Sequence, residues 1–150
     1  MAYSTTDQVA SEFKSIDFGA ASSVVVTAEV TRFIEEADAE IDSQIGQKYV
    51  VPIDSTNHPE SFKIVRMLSI WLVADRVRQI MEMKNIAPEA IEQGVRVPNS
   101  AKMAREMIKK IVQGKMTLSD AELVSAANGV RSFSVDNSEE HTFQKNVDQW

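Results

Sequence analysis

Apolar side chains recur along this chain in several rhythms, and each rhythm predicts an element. Between Thr27 and Gly46 the apolar positions Val30, Phe33, Ile34, Ala37, Ile41 and Ile45 follow one another at steps of three, one, three, four and four residues. That is the spacing of a single helical face. Glu29, Glu35, Glu36, Asp38, Glu40 and Asp42 fall off the stripe, so the segment reads as an amphipathic helix with a solvated acidic face. Carboxylates near its start also suit the positive end of the helix dipole. Thr27 is the expected N-cap and Gly46 the expected C-cap, and Pro52 prevents continuation. The stretch "ADAEIDSQIGQKYVVPI" (37–53) thus runs an acidic helix into a Gly, a Lys-Tyr pair and a Pro. Three uses compete for such a junction: a carboxylate site, a fixed corner in a protein that assembles, or a plain surface helix.

A second rhythm begins at Pro59, a favoured first-turn residue. From there to about Lys84 the chain is apolar nearly all round (Phe62, Val65, Leu68, Leu72, Val73, Val77, Met81), the mark of a helix surrounded by others. Pro88 and Pro98 bracket a short segment, and a fourth helix is expected from about Asn99 to Gln113. Its inward positions are Met103, Met107, Ile108, Ile111 and Val112, with Gly114 at its end. Near the start, Thr5 or Thr6 caps a short helix through about Lys14, with Val9 and Phe13 on one face. "SIDFGAASSVVV" reads as a loop with a short extended piece, and "TLSDAELVSAA" as one further short helix. From Asn128 the character changes, with an Asn-Gly pair, alternation around Phe133 and Val135, and isolated Phe143 and Trp150. The prediction is an all-α bundle of four or five helices over residues 1–127, followed by an extended C-terminal arm, 128–150. A small β-hairpin with "DNSEE" as its turn is the alternative for that arm.

Composition narrows the chemistry. Of 150 residues, 43% are hydrophobic and 25% charged, which is the balance of one globular domain. There is no cysteine, so disulfides, thiolate nucleophiles and Cys-bound zinc are excluded. "MAYSTTDQVASEF" has no basic region followed by an apolar stretch, so no secretory leader is expected. The apolar run from Ile70 to Ala74 is far short of the roughly 20 residues of a membrane helix. The net charge of −6 hides a division, since residues 1–62 carry net −8, residues 63–115 net +6 and residues 116–150 net −4. A bipolar chain can meet copies of itself through complementary patches.

Candidate chemistry is sparse. His58 and His141 lie far apart and in no metal-binding spacing, and no Gly-rich phosphate loop or GxSxG elbow occurs. Asp38 and Asp42, one turn apart with Glu35 nearby, could touch a hard cation. Without a second converging carboxylate helix they read as a solvated face, and changing both to Asn is expected to cost about 0 to 1 kcal/mol. Lys102, Arg105, Lys109, Lys110 and Lys115 cluster as phosphate-binding residues do, but no aromatics interleave. Asp75 and Arg76, inside the apolar third helix, need partners. An intramolecular ion pair fixing helix packing is the favoured reading, and an intersubunit contact the other. No cofactor and no enzymatic activity are expected.

Four segments in order resemble the small head-tail connector proteins (adaptor or head-completion proteins) of tailed bacteriophages, including the Mu-like type. They are "ADAEIDSQIGQKYVVPI", "LVADRV" (72–77), "AREMIKKIVQGKMTLS" (104–119) and the C-terminal "TFQKNVDQW". Gln47-Lys48 stands where an Arg is more usual before Tyr49, and Val77-Arg78 replaces an Ala-Arg-Tyr pattern. The resemblance implies a helical structural protein of the virion that docks on the portal protein as a ring, usually twelve-fold. It would offer a platform to a neck or tail-completion protein while DNA passes through the lumen. Its place would be the head-tail interface, reached from the host cytoplasm during assembly, with no membrane partner. In this reading Tyr49 and Pro52 direct the chain out of the bundle, and Tyr49, Lys102, Lys109, Phe133, Phe143 and Trp150 are the candidate partner-binding residues. The rival is a DNA-binding packaging or regulatory protein that uses the basic helix 102–115.

Overall fold

The computed structural model describes residues 2–13, 17–20, 23–83 and 99–124. Among them are four helices and no strand longer than a single bridge. They are α1 (Thr6–Ala10), α2 (Thr27–Ile45), α3 (Pro59–Met83) and α4 (Ser100–Val112). The protein is all-α, as its periodicity predicts.

The central element is α3, which packs against both α2 and α4, while α2 and α4 also touch and α1 closes over α2 and α3. The stripe on α2 is buried as expected, with Val30, Ile41 and Ile45 wholly enclosed. Facing it on α3 are Val65, Leu68, Leu72 and Val73. One continuous core forms, joined by Val9 of α1 and by Tyr3, Phe13, Phe18, Val25, Ile53 and Leu118 from segments outside the helices.

Local chemistry sets the ends of the helices. Thr5 caps α1 with a reciprocal box: its hydroxyl accepts from the Gln8 N–H at 3.3 Å, and Gln8 Oε1 accepts from the Thr5 N–H at 3.1 Å. The N-cap of α2 falls one residue earlier than expected, so that Thr27 is already helical. Val26 holds the N-cap position, its N–H donating to Glu29 Oε2 at 3.1 Å, while Thr27 turns its hydroxyl to the Phe18 carbonyl. At the other end Gly46 keeps right-handed helical torsions. Glycine is needed there for room, since a Cβ would lie 2.7 Å from the Asp42 carbonyl oxygen and 3.1 Å from Val51 Cγ2. α4 ends in a Schellman turn: Gly114 is left-handed (φ +75°), with Gly114 N–H on the Ile111 carbonyl and Lys115 N–H on the Lys110 carbonyl.

Two expectations are corrected. α4 does not turn Met103 inward, although Met107 and Val112 do pack against the core. Ala101, Ala104, Ile108 and Ile111 face the core while Met103 is 44% exposed, because the two alanines let α4 lie close against α3. And residues 117–124 form a strap that turns at Ser119 and Asp120, not a helix. Expectations for residues 84–98 and for the arm 128–150, including Phe133, His141, Phe143 and Trp150, lie outside the described residues.

Candidate interaction surfaces

The junction after α2 is a receptor for the strap that follows α4. Tyr49 is 2% exposed, and its hydroxyl accepts from the buried Leu118 N–H at 3.2 Å. Beside it the backbones pair as a short antiparallel ribbon, with Val50 N–H on the Glu122 carbonyl and Val124 N–H on the Lys48 carbonyl. Further along, Asp120 reaches the start of α3. Its carboxylate accepts from the Glu60 and Ser61 N–H groups, both at 2.9 Å, and from the Ser61 hydroxyl. A residue 60 positions away in sequence thus caps α3, and the Ser61 hydroxyl and two backbone N–H groups hold its carboxyl below the usual carboxylate range. The His58 ring joins the strap through the Asp120 carbonyl.

This geometry corrects the expectation that Tyr49 meets a partner. Its ring lies in the core and its hydroxyl is taken by the strap. The corner is structural, as one of its sequence readings holds, but it turns the chain inward to receive residues 118–124.

Asp38 and Asp42 are also not a solvated pair. Asp38 is 7% exposed and accepts from the Tyr3 N–H at 2.8 Å and from the Ser69 hydroxyl at 2.6 Å. Ser4 in turn meets Ser69 at 2.9 Å. Asp42 accepts from the Tyr3 hydroxyl, which itself accepts from the Ile53 N–H at 3.0 Å. The two carboxylates therefore pin the N-terminal segment onto α2 and α3. Burial raises the Asp38 carboxyl despite its two donors, and burial with the Asp42 contact raises the Tyr3 phenol. The signal that could have revealed Asp38 is its position: it follows Ile34 by one turn and precedes Ile41, on the edge of the apolar stripe.

The charged residues inside α3 find partners within the chain, though not each other. Asp75 accepts from Arg78 at 2.7 Å and Gln79 at 2.8 Å along its own helix. Arg76 pairs with Glu36 of α2 and stacks 4.9 Å from the Phe33 ring.

The remaining surface of interest lies between α3 and α4. A cleft of about 500 Å³ runs between Asp75, Arg78 and Gln79 on α3 and Ala101, Lys102, Arg105, Glu106 and Lys109 on α4. A neighbouring recess of about 350 Å³ extends it to Phe33, Ala37 and Glu40 of α2. Arg105 spans the two, with Nε 2.9 Å from Glu40 Oε1, and that hydrogen bond raises its already high affinity for a proton. Lys102 and Lys109, both sequence candidates, are exposed on the cleft wall. Neither has an ion pair or hydrogen-bond partner among the described residues. The side chains of Lys110 and Lys115 likewise have none, whereas those of Lys48 and Lys63 are engaged with the Ile111 carbonyl and Glu60. Among the described residues no group of three or more acidic or histidine side chains is arranged to hold a metal ion, and no helix is long and apolar enough to cross a membrane.

Comparison with known proteins adds one match. The model of a family described as "Bacteriophage Mu, Gp36" aligns with residues 3–135, which takes in all four helices, the strap and the cationic cleft. No curated protein and no solved structure matches.

Proposed function

The chain belongs to the bacteriophage Mu Gp36 family, and from that premise we propose that it is a non-enzymatic head-tail connector of the virion. It docks on the portal protein as a ring, usually twelve-fold, and gives a neck or tail-completion protein its platform, while DNA passes through the lumen without specific binding. Its place is the head-tail interface, after assembly in the host cytoplasm.

The observation that carries this reading is the segregation of unpaired charge. Lys102, Lys109, Lys110 and Lys115 stand exposed on one helix and the turn after it, in a chain of net charge −6. Charges on one face that have no partner among the described residues give specificity for an oppositely charged protein surface. The rest of the fold, braced by its N-terminal network and C-terminal strap, supplies a rigid body on which such a face holds its shape.

The same lysines favour a second reading, a DNA-binding packaging or regulatory protein, because phosphate contacts depend on clustered Lys and Arg. Electron microscopy of virions labelled on this protein separates the two. The connector reading expects label confined to the head-tail junction in every mature particle, and particles made without the protein to have filled heads lacking tails. Label absent from purified virions, or tailed particles formed without the protein, would sink it.

A further inference from the structure

We propose that the cationic cleft between α3 and α4 is the seat for the acidic outer face of α2 from a second copy of this chain. The inference rests on the connector reading and adds to it which face meets which.

The cleft presents more positive charge than it can neutralise. Asp75 is already satisfied by Arg78 and Gln79, and Glu40 is taken up by Arg105. Lys102 and Lys109, two turns apart on one wall, remain without partners among the described residues. An occupant must therefore bring carboxylates, and it must be narrow enough to enter between two helices. A DNA duplex suits the cleft poorly, because its continuous row of phosphates must also meet Glu106 and Asp75 in the same lining, whereas single carboxylates can be placed against the lysines alone. A helix carrying a few spaced carboxylates meets both.

This chain carries such a helix. The outer side of α2 exposes Glu35, which has no partner among the described residues, beside Glu36. Around them Ala28, Ala39 and Ser43 are exposed and short, and the long exposed Arg32 on the same side is turned toward Glu36 and the Phe33 ring, away from Glu35. Glu36 is drawn partly inward by Arg32 and Arg76, which leaves Glu35 as the leading contact. The segment 1–62 that contains this face has net charge −8 against +6 for residues 63–115.

Donor and acceptor faces are different surfaces of one molecule. The cleft opens beside Phe33, Ala37 and Glu40 on one side of α2, while Glu35 and Ala39 point away from it into solvent. A contact of this kind is heterologous, so each copy offers one face and receives on the other. Such contacts make closed rings when the rotation between copies closes, and open filaments when it does not.

The absence of native cysteine allows a direct test with the full chain. Ala39→Cys is placed on the acidic face and Glu106→Cys on the cleft rim, both exposed positions, and a short bismaleimide is added at low salt. The double variant should cross-link into a ladder beyond dimers. The two single variants should link only when mixed. Adding Lys102→Glu and Lys109→Glu to the Glu106→Cys partner should lower the yield about tenfold, and adding Glu35→Lys to the Ala39→Cys partner should restore much of it. Circular dichroism melts on every variant establish that the fold is retained. Cross-linking by either single variant alone would mean a two-fold contact and overturn the proposal. So would a yield indifferent to the lysine changes, or no cross-link at all. The connector reading is scored separately by complementation. Failed cross-links with normal head completion remove the contact and spare that reading, whereas cross-links that follow the charges in a protein never found in virions remove that reading and spare the contact.

Discussion

Asp38 shows how much one residue's environment changes its meaning. In sequence it is one of six carboxylates along α2. In the fold it is 7% exposed and holds the Tyr3 N–H and the Ser69 hydroxyl. Asp38→Asn keeps one acceptor oxygen but turns an amide donor toward one of those two donors, leaving a buried polar group unsatisfied. The expected cost is about 1–3 kcal/mol, larger than the roughly 0 to 1 kcal/mol that a surface carboxylate predicts, and chemical denaturation checks it. The pH dependence has a definite sign. Burial raises the folded-state pKa of Asp38 above its unfolded value, so in the window between the two the folded state binds more protons. The stability tied to this group is fully present below the unfolded pKa and is lost as pH rises through the folded one. Wild type should therefore gain on Asp38→Asn as pH is lowered from neutral into the carboxylate range, measured by melting both proteins side by side. An advantage that shrinks on acidification would contradict the assignment. Asp120 pulls the other way. Its folded pKa is depressed, so its contribution is present above the unfolded pKa and fades in acid, which is why the comparison must be made against the single variant.

At the scale of elements, the helices were legible because their apolar positions repeat. α2 and α3 fall within one residue of the predicted spans, α2 because a long stripe leaves no competing register and α3 because Pro59 fixes the start of a long apolar run. The face of α4 was misread because apolar character alone ranks methionine above alanine, whereas close packing on α3 selects Ala101 and Ala104 for the contact and turns Met103 out. The strap was illegible for a different reason. "TLSDAELVSAA" has acceptable helix formers, and only long-range partners decide against it: Tyr49 for Leu118, the start of α3 for Asp120, and the backbone of residues 48–50 for residues 122–124. Such contacts leave no periodic trace. Of the candidate site, the lysines of α4 could be picked out from their clustering, but the cleft they line depends on how α4 packs on α3. The strap has a sharp weak point in Tyr49. Tyr49→Phe keeps the ring in the core and removes the one acceptor of the buried Leu118 N–H, at an expected cost of about 1–3 kcal/mol. Hydrogen exchange at Leu118 and its neighbours should accelerate more than exchange in the middle of α2 or α3. Uniform acceleration throughout would show that the strap does not open as a unit.

For the whole molecule, the question is whether one basic helix can overcome a net charge of −6. Duplex DNA is attracted by local lysines but repelled by everything else within about a Debye length, roughly 8 Å at physiological salt. On the cleft wall the competing charges are close, since Glu106 and Asp75 line the same groove as Lys102 and Lys109. Arg105, which would otherwise join the phosphate contacts, is held by Glu40. Only a few lysines are then available to displace counterions, and the affinity and its salt dependence both scale with that number. Fluorescence polarisation with a labelled duplex at physiological salt should give a dissociation constant no tighter than the micromolar range typical of non-specific contacts. Lys102→Glu with Lys109→Glu should weaken even that, and lowering the salt should strengthen it with a shallow slope. Submicromolar binding with a steep salt dependence, abolished by the same two changes, would instead make α4 a DNA-binding helix and displace the connector reading. The prediction turns on charge that is already committed, for the arginines nearest the cleft each answer a carboxylate of the same fold, and what they leave over is suited to a protein surface with a few acidic side chains.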